Sequence, residues 1–297
     1  MKILVLGCKG QLGRCLNDQM IDTDYEVIYT SRAQIDVADF NATKLKIAEI
    51  IPDVIINATA YTAVDKAEQE QEKANLINNL AVKNIAEICN QIGCWMIHVS
   101  TDYVFDGTSD VPYRENDKTN PQGIYGSTKL QGELAVKSSR CKYVILRTAW
   151  VYSEYGDNFL GTMLRLGAER DELKVVSDQI GCPTYAQELA SAVVRMLPLL
   201  LTSKGVEGTY HFCGPDSCSW YQFANIIFEE ARRLGLKTPK LIYPISTIDY
   251  PTPASRPKYS VLACSKIDDQ FGVYQPKCSV SVRTAISAIL NHRNQPI

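Results

Sequence analysis

The stretch Gly7-Cys8-Lys9-Gly10-Gln11-Leu12-Gly13 decides the fold class. It follows an apolar run, Lys2–Leu6, and opens a pattern typical of an amphipathic helix, Gln11–Met20. Glycines at a strand-to-helix turn let backbone N–H groups approach a pyrophosphate at the helix N-terminus. The spacing is G-x-x-G-x-x-G rather than G-x-G-x-x-G, but the context is the one that a dinucleotide loop requires. The predicted cofactor contacts here are Gly7, Gly10, Gln11, Leu12 and Gly13.

The first half of the chain alternates short apolar runs with helical patterns. Continuous apolar strands between amphipathic helices predict a parallel sheet covered on both faces, and right-handed crossovers make it a Rossmann-type, doubly wound α/β fold. The predicted strands are Lys2–Leu6, Glu26–Thr30, Val54–Asn57, Trp95–Ser100 and Tyr143–Arg147. The predicted helices are Gln11–Met20, Asn41–Ile51, Gln71–Ile92 and Tyr125–Lys137.

The second half of the chain has a different character. Proline, glycine and short strands become more frequent after about residue 150. Helices are predicted at Gln187–Leu201, Trp220–Leu234 and Ser279–Asn291. We therefore predict an NAD(P)-binding domain at 1–150 and a smaller, substrate-binding C-terminal lobe at 151–297, some of whose segments return to the first domain.

Composition excludes several classes of function. The 297 residues carry 31 basic and 33 acidic side chains, a net charge of −2, which leaves no electrostatic footprint for nucleic acid or an anionic membrane. No run reaches the roughly 20 apolar residues of a membrane-spanning helix, and the N-terminus lacks the pattern of a signal peptide. A cytoplasmic location is expected. Ten cysteines without a C-x-x-C pair, and only three histidines, predict free thiols rather than a metal site.

The end of the second predicted strand bears on the choice of dinucleotide. An acidic residue there usually binds the ribose 2′-hydroxyl of NAD. This chain has Tyr29-Thr30-Ser31-Arg32 instead, and Arg32 can pair with a 2′-phosphate, while Asp36 can contact the adenine end. The alternative is that Arg32 is a solvated loop residue. We predict that NADP(H) is preferred and that NAD(H) can also serve.

Tyr125-Gly126-Ser127-Thr128-Lys129 forms a Y-x-x-x-K motif. On a helix, Tyr125 and Lys129 share a face, and the ammonium group is expected to lower the pKa of the phenol toward a range useful for proton transfer. Thr101, at the end of the Trp95–Ser100 strand, can bind a substrate carbonyl beside Tyr125. The alternative is a strand-end cap and an ion-pairing helix face. The predicted catalytic residues are Thr101, Tyr125 and Lys129.

Longer motifs carry a resemblance over nearly the whole chain. The chain resembles the dTDP-4-dehydrorhamnose reductase family of extended short-chain dehydrogenases/reductases. The matching stretches are Gly7–Gly13, Asn57–Glu68 (N-A-T-A-Y-T-A-V-D-K-A-E), Ser100–Gly107 (S-T-D-Y-V-F-D-G), Tyr125–Glu133, Arg147–Tyr152, Asn158-Phe159, Asp178–Thr184 and Arg256-Pro257.

The resemblance implies reduction of dTDP-4-dehydro-L-rhamnose to dTDP-L-rhamnose by a nicotinamide cofactor. Thr101 and Tyr125 would polarise and protonate the C4 oxygen, and Lys129 would orient the cofactor. The residues implied to line the nicotinamide are Asn57, Ala58 and Ala60. Those implied to bind the dTDP-sugar are Thr62, Val64, Tyr103 and Trp150, with Arg256 near the diphosphate. Tyr103 and Trp150 have the alternative of ordinary packing, and Arg256 that of a surface loop residue.

Other readings of the sequence remain open. Some family members form Mg²⁺-bridged dimers through glutamates, but here the first helix begins without an acid and Glu188 stands alone, so no metal is expected and a homodimer is left open.

An epimerase or dehydratase of the same fold is one rival function, because Asp102 adjoins Thr101. A second rival is a non-catalytic NADP-binding subunit like the regulatory subunit of methionine adenosyltransferase. Asn158 is expected to cap a helix, and His98 to be a core residue.

Overall fold

The computed structural model describes residues 1–203 and 205–294. Its strands are β1 (Lys2–Leu6), β2 (Glu26–Thr30), β3 (Val54–Asn57), β4 (Trp95–Thr101), β5 (Lys142–Thr148), β6 (Val151–Tyr152), β7 (Glu172–Val176), β8 (Ile180–Gly181), β9 (Thr184–Tyr185), β10 (Gly208–His211), β11 (Cys218–Ser219) and β12 (Leu241–Ile245). Its helices are α1 (Gln11–Met20), α2 (Phe40–Ile50), α3 (Val64–Ala67), α4 (Gln71–Asn75), α5 (Ala81–Ile92), α6 (Ile124–Ser138), α7 (Phe159–Glu169), α8 (Ala186–Thr202), α9 (Trp220–Arg233), α10 (Ser265–Phe271) and α11 (Cys278–Asn294).

The central sheet has six parallel strands in the order β10-β5-β4-β3-β1-β2. After β2 the chain crosses to the other side of β1, which places the topological switch point between β1 and β3. Ligands of open α/β sheets bind in the crevice outside the carboxyl ends of the strands at such a point. The predicted Rossmann-type, doubly wound fold is confirmed.

Helices cover both faces of the sheet. Alternate residues of β1 enter different cores, so that Ile3 and Val5 pack with α1 and α8, whereas Leu4 and Leu6 pack with α5. Every residue of β3 is buried. Burial on both faces is why these strands are continuous apolar runs rather than alternating ones.

Two segments from beyond residue 150 belong to this sheet layer. Strand β10 pairs with β5 at the sheet edge, and α8 contributes to the same hydrophobic core as α1. The remaining C-terminal elements build a second core from α7, α9 and α11, with β7 paired to β12. The division at residue 150 stays a prediction, and it includes the return of later segments.

The predicted helix Gln71–Ile92 differs from the structure. The segment is helical throughout, but a π-helical turn at Leu76–Leu80 separates α4 from α5. Asn78 lies in this turn, where it is fully buried and bonded to a neighbouring loop. A side chain that must reach a fixed partner is a common reason for such a bulge. Among the described residues, no helix is both long and apolar enough to cross a membrane.

Candidate active site

The glycine loop lies where a pyrophosphate can reach the N-terminus of α1. Gly7 has a φ of +89°, and a Cβ atom there would lie 3.0 Å from the Ala58 carbonyl oxygen, so the backbones of the two loops touch. Gly10 precedes α1 without a side-chain cap. This leaves the first backbone N–H groups of the helix available to an anionic ligand. The loop therefore fits the pyrophosphate of a dinucleotide.

Gln11 makes contacts that the sequence did not indicate. Its side-chain oxygen accepts hydrogen bonds from Ser153 Oγ at 2.9 Å and from Asn158 Nδ2 at 3.1 Å. Asn158 also caps α7, because its side chain accepts from the Gly161 N–H, as expected. Leu12 is buried in the core beneath the loop. Gln11 thus ties the start of α1 to the chain that follows β6.

Arg32 lies at the surface after β2. Its Nε donates to Asp36 Oδ2 at 3.1 Å, and its side chain is 77% exposed. The planar guanidinium keeps further N–H donors free for a phosphate. The predicted pairing of Arg32 with a 2′-phosphate is therefore sterically open, whereas Asp36 is committed to Arg32 and to the Ala38 backbone.

The loop after β3 is held by two asparagines. Asn57 is fully buried and accepts hydrogen bonds from the Thr59 backbone and hydroxyl. Its amide nitrogen lies 3.3 Å from His98 Nδ1 in the core. Asn78 bonds both backbone groups of Tyr61, at 2.8 and 3.1 Å. Asn78 lies four residues from both Ala74 and Val82, on the apolar face of an amphipathic helical pattern, and a polar residue at that position was the signal that could have identified it.

The remaining predicted residues of this loop have no such anchors. Ala58 and Ala60 are partly buried, Thr62 is exposed, and Val64 begins α3 with its side chain partly exposed. Ala58 is adjacent to the glycine loop, as a residue lining the cofactor cleft must be. The loop leads directly to Asp65, which pairs with Arg256 far along the chain.

Tyr125 and Lys129 lie on α6, with Lys129 almost fully buried. The Lys129 ammonium donates to the Val99 carbonyl oxygen at 2.6 Å. Burial lowers the pKa of Lys129 to about 8, and Glu133 opposes this shift. Burial likewise raises the pKa of Tyr125, and a hydrogen bond with the Thr101 hydroxyl opposes it. The prediction that Lys129 lowers the pKa of Tyr125 is therefore wrong for this arrangement. Burial raises that pKa, and the ammonium group donates to the Val99 carbonyl oxygen instead.

Thr101 ends β4 and makes the hydrogen bonds that fix its hydroxyl. The hydroxyl donates to Asp102 Oδ1 at 2.9 Å and accepts from the Tyr103 N–H at 3.2 Å. Asp102 is 2% exposed, and its Oδ2 has no hydrogen-bond partner among the described residues. Burial raises the pKa of Asp102 to about 6, although hydrogen bonds, including those of Thr101, favour the charged form.

Tyr103 and Arg256 meet at the same edge of the sheet. The Tyr103 ring lies edge-on to Tyr125, with 5.6 Å between ring centroids. Arg256 donates to the Tyr103 hydroxyl at 3.0 Å and to Asp65 Oδ2 at 2.7 Å. Asp65 Oδ1 also accepts from the Ala254 N–H at 3.2 Å. Arg256 is thus a partly buried, anchored cation rather than a free surface residue, and Asp65 is a partner that the sequence did not indicate.

Trp150 has a constrained position. Its backbone φ is +47°, in the left-handed region, and its indole stacks on Trp220 with centroids 3.5 Å apart and planes within 5°. Gly181 packs against the same indole so closely that a Cβ atom there would lie 2.6 Å from Nε1. Trp220 Nε1 donates to Gln179 at 3.2 Å. The residues that fix Trp150 therefore come from the Asp178–Thr184 motif and from α9.

A buried ion pair underlies the site. Glu133 accepts two hydrogen bonds from Arg147, at 2.9 and 2.7 Å, and a third from Ser100 at 2.6 Å. Both charged side chains are at most 2% exposed. Paired and hydrogen-bonded charges are the form in which buried ions are tolerated. The network joins α6 to the ends of β4 and β5.

Glu188 takes a hydrogen bond from Ser281, and burial raises the pKa of its carboxyl group to about 7. Within residues 1–203 and 205–294, no group of three or more histidine, cysteine, aspartate or glutamate side chains is arranged to hold a metal ion.

Comparisons with known proteins bear on the family and the fold of this chain. The family model for the RmlD substrate binding domain matches residues 1–291. A dTDP-4-dehydrorhamnose reductase from Sinorhizobium fredii is 41% identical over 292 residues, covering 98% of both chains. The crystal structure of a dTDP-4-dehydrorhamnose reductase from Clostridium acetobutylicum superposes with a TM-score of 0.91 at 40% identity, covering 98% of this chain and all of that one. The reductase from Bacillus anthracis, in complex with NADP, gives 0.88 at 36% identity, covering 97% and 99%.

Proposed function

Because the chain belongs to the dTDP-4-dehydrorhamnose reductase family, we propose that it reduces the C4 keto group of dTDP-4-dehydro-L-rhamnose to give dTDP-L-rhamnose. NADPH is the preferred reductant and NADH can replace it, in keeping with the NADP-bound relative and with the open position of Arg32. The nicotinamide, when bound, supplies a hydride to the carbonyl carbon.

The observation that carries this proposal is that the hydroxyls of Thr101 and Tyr125 lie together at the carboxyl ends of the strands, where α/β folds bind their ligands. Tyr125 holds the proton that the C4 oxygen needs as hydride arrives. The raised pKa of Tyr125 keeps that proton in place at neutral pH. Thr101 holds the same oxygen, and Lys129 orients the cofactor.

Other residues bind the two ligands in this proposal. Residues 1–150 bind the cofactor through the glycine loop, and 151–297 supply much of the sugar-nucleotide site. Arg256 offers N–H groups that remain free beside its bonds to Tyr103 and Asp65, so it can bind the diphosphate. Trp150 forms an apolar wall toward the deoxysugar. A cytoplasmic location and a homodimer remain predictions, and light scattering of the purified protein tests the second.

The function is tested by mixing the purified protein with the sugar nucleotide and either NADPH or NADH. Loss of the reduced-nicotinamide absorbance in proportion to substrate is expected, which separates a reductase from an epimerase that regenerates its cofactor. Tyr125→Phe should lower kcat by about 100- to 10,000-fold, because it removes the general acid. Tyr143→Phe, on β5 and away from the site, is the matched control. Wild-type kcat in Tyr125→Phe would show that another group is the acid.

A further inference from the structure

The Thr101 hydroxyl has a single proton and two competing uses for it. In the structure that proton is donated to Asp102 Oδ1. The oxygen of the same hydroxyl accepts from the Tyr103 N–H, and the phenol of Tyr125 lies beside it. A hydroxyl can donate once and accept twice, so Thr101 has no donor left for a substrate carbonyl.

The direction of the Thr101 hydroxyl therefore depends on the form of Asp102. A carboxylate can only accept a hydrogen bond, so it holds the Thr101 proton away from the substrate. The order reverses if Asp102 carries a proton, because an acid donates to Thr101, and Thr101 is then free to donate toward Tyr125 and the substrate.

We propose that Asp102 is a positioning residue whose proton sets the direction of the Thr101 hydroxyl, so that the acid form at position 102 is the one that supports reduction. This rests on the proposed function, and Asp102 acts only through Thr101. The side chain is 2% exposed, and its Oδ2 lacks a partner among the described residues, so burial disfavours the charged form of the carboxyl group.

Within the described part of the chain, no cation pairs with Asp102. The titratable groups that face it are the phenols of Tyr103 and Tyr125, and the nearby hydroxyl of Ser260 favours the charged form. Arg256 lies beyond the Tyr103 hydroxyl. Burial outweighs the hydrogen bonds and raises the pKa of Asp102 to about 6. The change of form therefore falls close to neutral pH.

The experiment measures kcat/KM for sugar-nucleotide reduction against pH in the wild type, Asp102→Asn and Asp171→Asn. Asparagine is nearly isosteric with the acid form and donates to Thr101 at every pH. The wild-type rate should fall by at least about tenfold as pH rises from about 5 to about 7.5, because the acid form becomes the minor species and loss of one donor to the developing oxyanion costs about 100- to 1,000-fold. Asp102→Asn should keep the high rate without this decline. Asp171, an exposed partner of Lys240, should leave the decline unchanged on substitution.

A second measurement does not require turnover. The folded-state pKa of Asp102 lies above the unfolded value near 3.9. The protonated form of Asp102 therefore contributes to the free energy of unfolding below about pH 4, and this contribution is lost as the pH rises through about 6. The Tm of Asp102→Asn minus that of the wild type should grow over this interval. Should Asp102→Asn fail to fold, Thr101→Val should abolish the decline in rate and Thr101→Ser should retain it.

The outcomes separate this inference from the proposed function. A wild type that does not oxidise NADPH with the sugar nucleotide overturns both. A wild type that does so, while Asp102→Asn shows the same decline with pH, overturns the role of Asp102 alone. A decline that persists in Thr101→Val does the same, because Asp102 would then act by another route.

Discussion

Substitution of Gly181 by alanine should displace Trp150 and damage the site without touching any hydroxyl or charge. The new Cβ atom would lie 2.6 Å from Nε1 and 2.7 Å from Cζ2 of the indole. The contact with Cε2 of the indole would be closer still, and ordinary carbon contacts are about 3.5 Å, so the ring must move by about 1 Å. It cannot slide freely, because its other face stacks on Trp220 and Trp220 is bonded to Gln179.

The expected cost follows from that displacement. Overpacking of this kind destabilises a protein by about 1–3 kcal/mol. A shift near 1 Å in a substrate-positioning group can reduce a rate by about 100-fold, so kcat/KM for the sugar nucleotide should fall by that order. The dissociation constant of NADPH, followed by cofactor fluorescence, should change little, because Gly181 lies outside the glycine loop.

Gly161→Ala is the matched control for this prediction. A Cβ atom at Gly161, on α7, would have only Asn158 Oδ1 as its nearest neighbour, at 3.9 Å. The added methyl should stabilise the helix slightly and leave kinetics unchanged. If folded Gly181→Ala keeps kcat/KM within about twofold of the wild type, then Trp150 does not position the substrate, and the reasoning fails.

Three further predictions concern charge and anchoring. Glu133→Gln should lower the free energy of unfolding by about 3–5 kcal/mol in denaturant titrations, because it leaves Arg147 buried without a counter-charge. Arg32→Ala should raise the Kd of NADPH by about tenfold and leave that of NADH unchanged, since it removes a charge-assisted bond to the 2′-phosphate. Asn78→Ala should cost about 1–3 kcal/mol of stability by leaving backbone groups of Tyr61 unpaired.

Each of these has a control in the same chain. Glu229→Gln breaks an exposed ion pair and should change stability by less than about 1 kcal/mol. Arg165→Ala, on the outer face of α7, should not alter either cofactor's Kd. Asn79→Ala removes the neighbouring side chain of the π-helical turn, which bonds only to Asn75 among its described contacts. Equal effects for a test variant and its control would contradict the corresponding explanation.

The sequence determined the sheet more completely than the site. The bounds of Lys2–Leu6, Gln11–Met20 and Val54–Asn57 match the structure, because burial on both faces or on one helix face leaves a local pattern in the chain. The interruption of Gln71–Ile92 was not predictable, since a single asparagine and a distant loop cause it.

The contacts between residues of the site could not be predicted from the sequence either, because most of them join residues that are far apart in the chain. Arg256 and Asp65 are 191 residues apart, and no spacing rule connects them. Trp220 stacks on Trp150 from α9, which lies far along the chain. The hydrogen bond from Thr101 to the adjacent Asp102 is local, yet its direction and the burial that gives it meaning depend on the tertiary structure. The roles of the predicted site residues themselves stay predictions.

The late position of α8 in the chain has a consequence for synthesis on the ribosome. Strands β1 to β5 are all present once residue 148 has been made, yet α8, residues 186–202, is needed to complete the core on one face. Until β10 follows, β5 is also an unpaired edge. An apolar face and an open strand edge favour association between nascent chains. The first 150 residues are therefore expected to aggregate when produced as a fragment, although they contain the glycine loop and the Tyr125 helix.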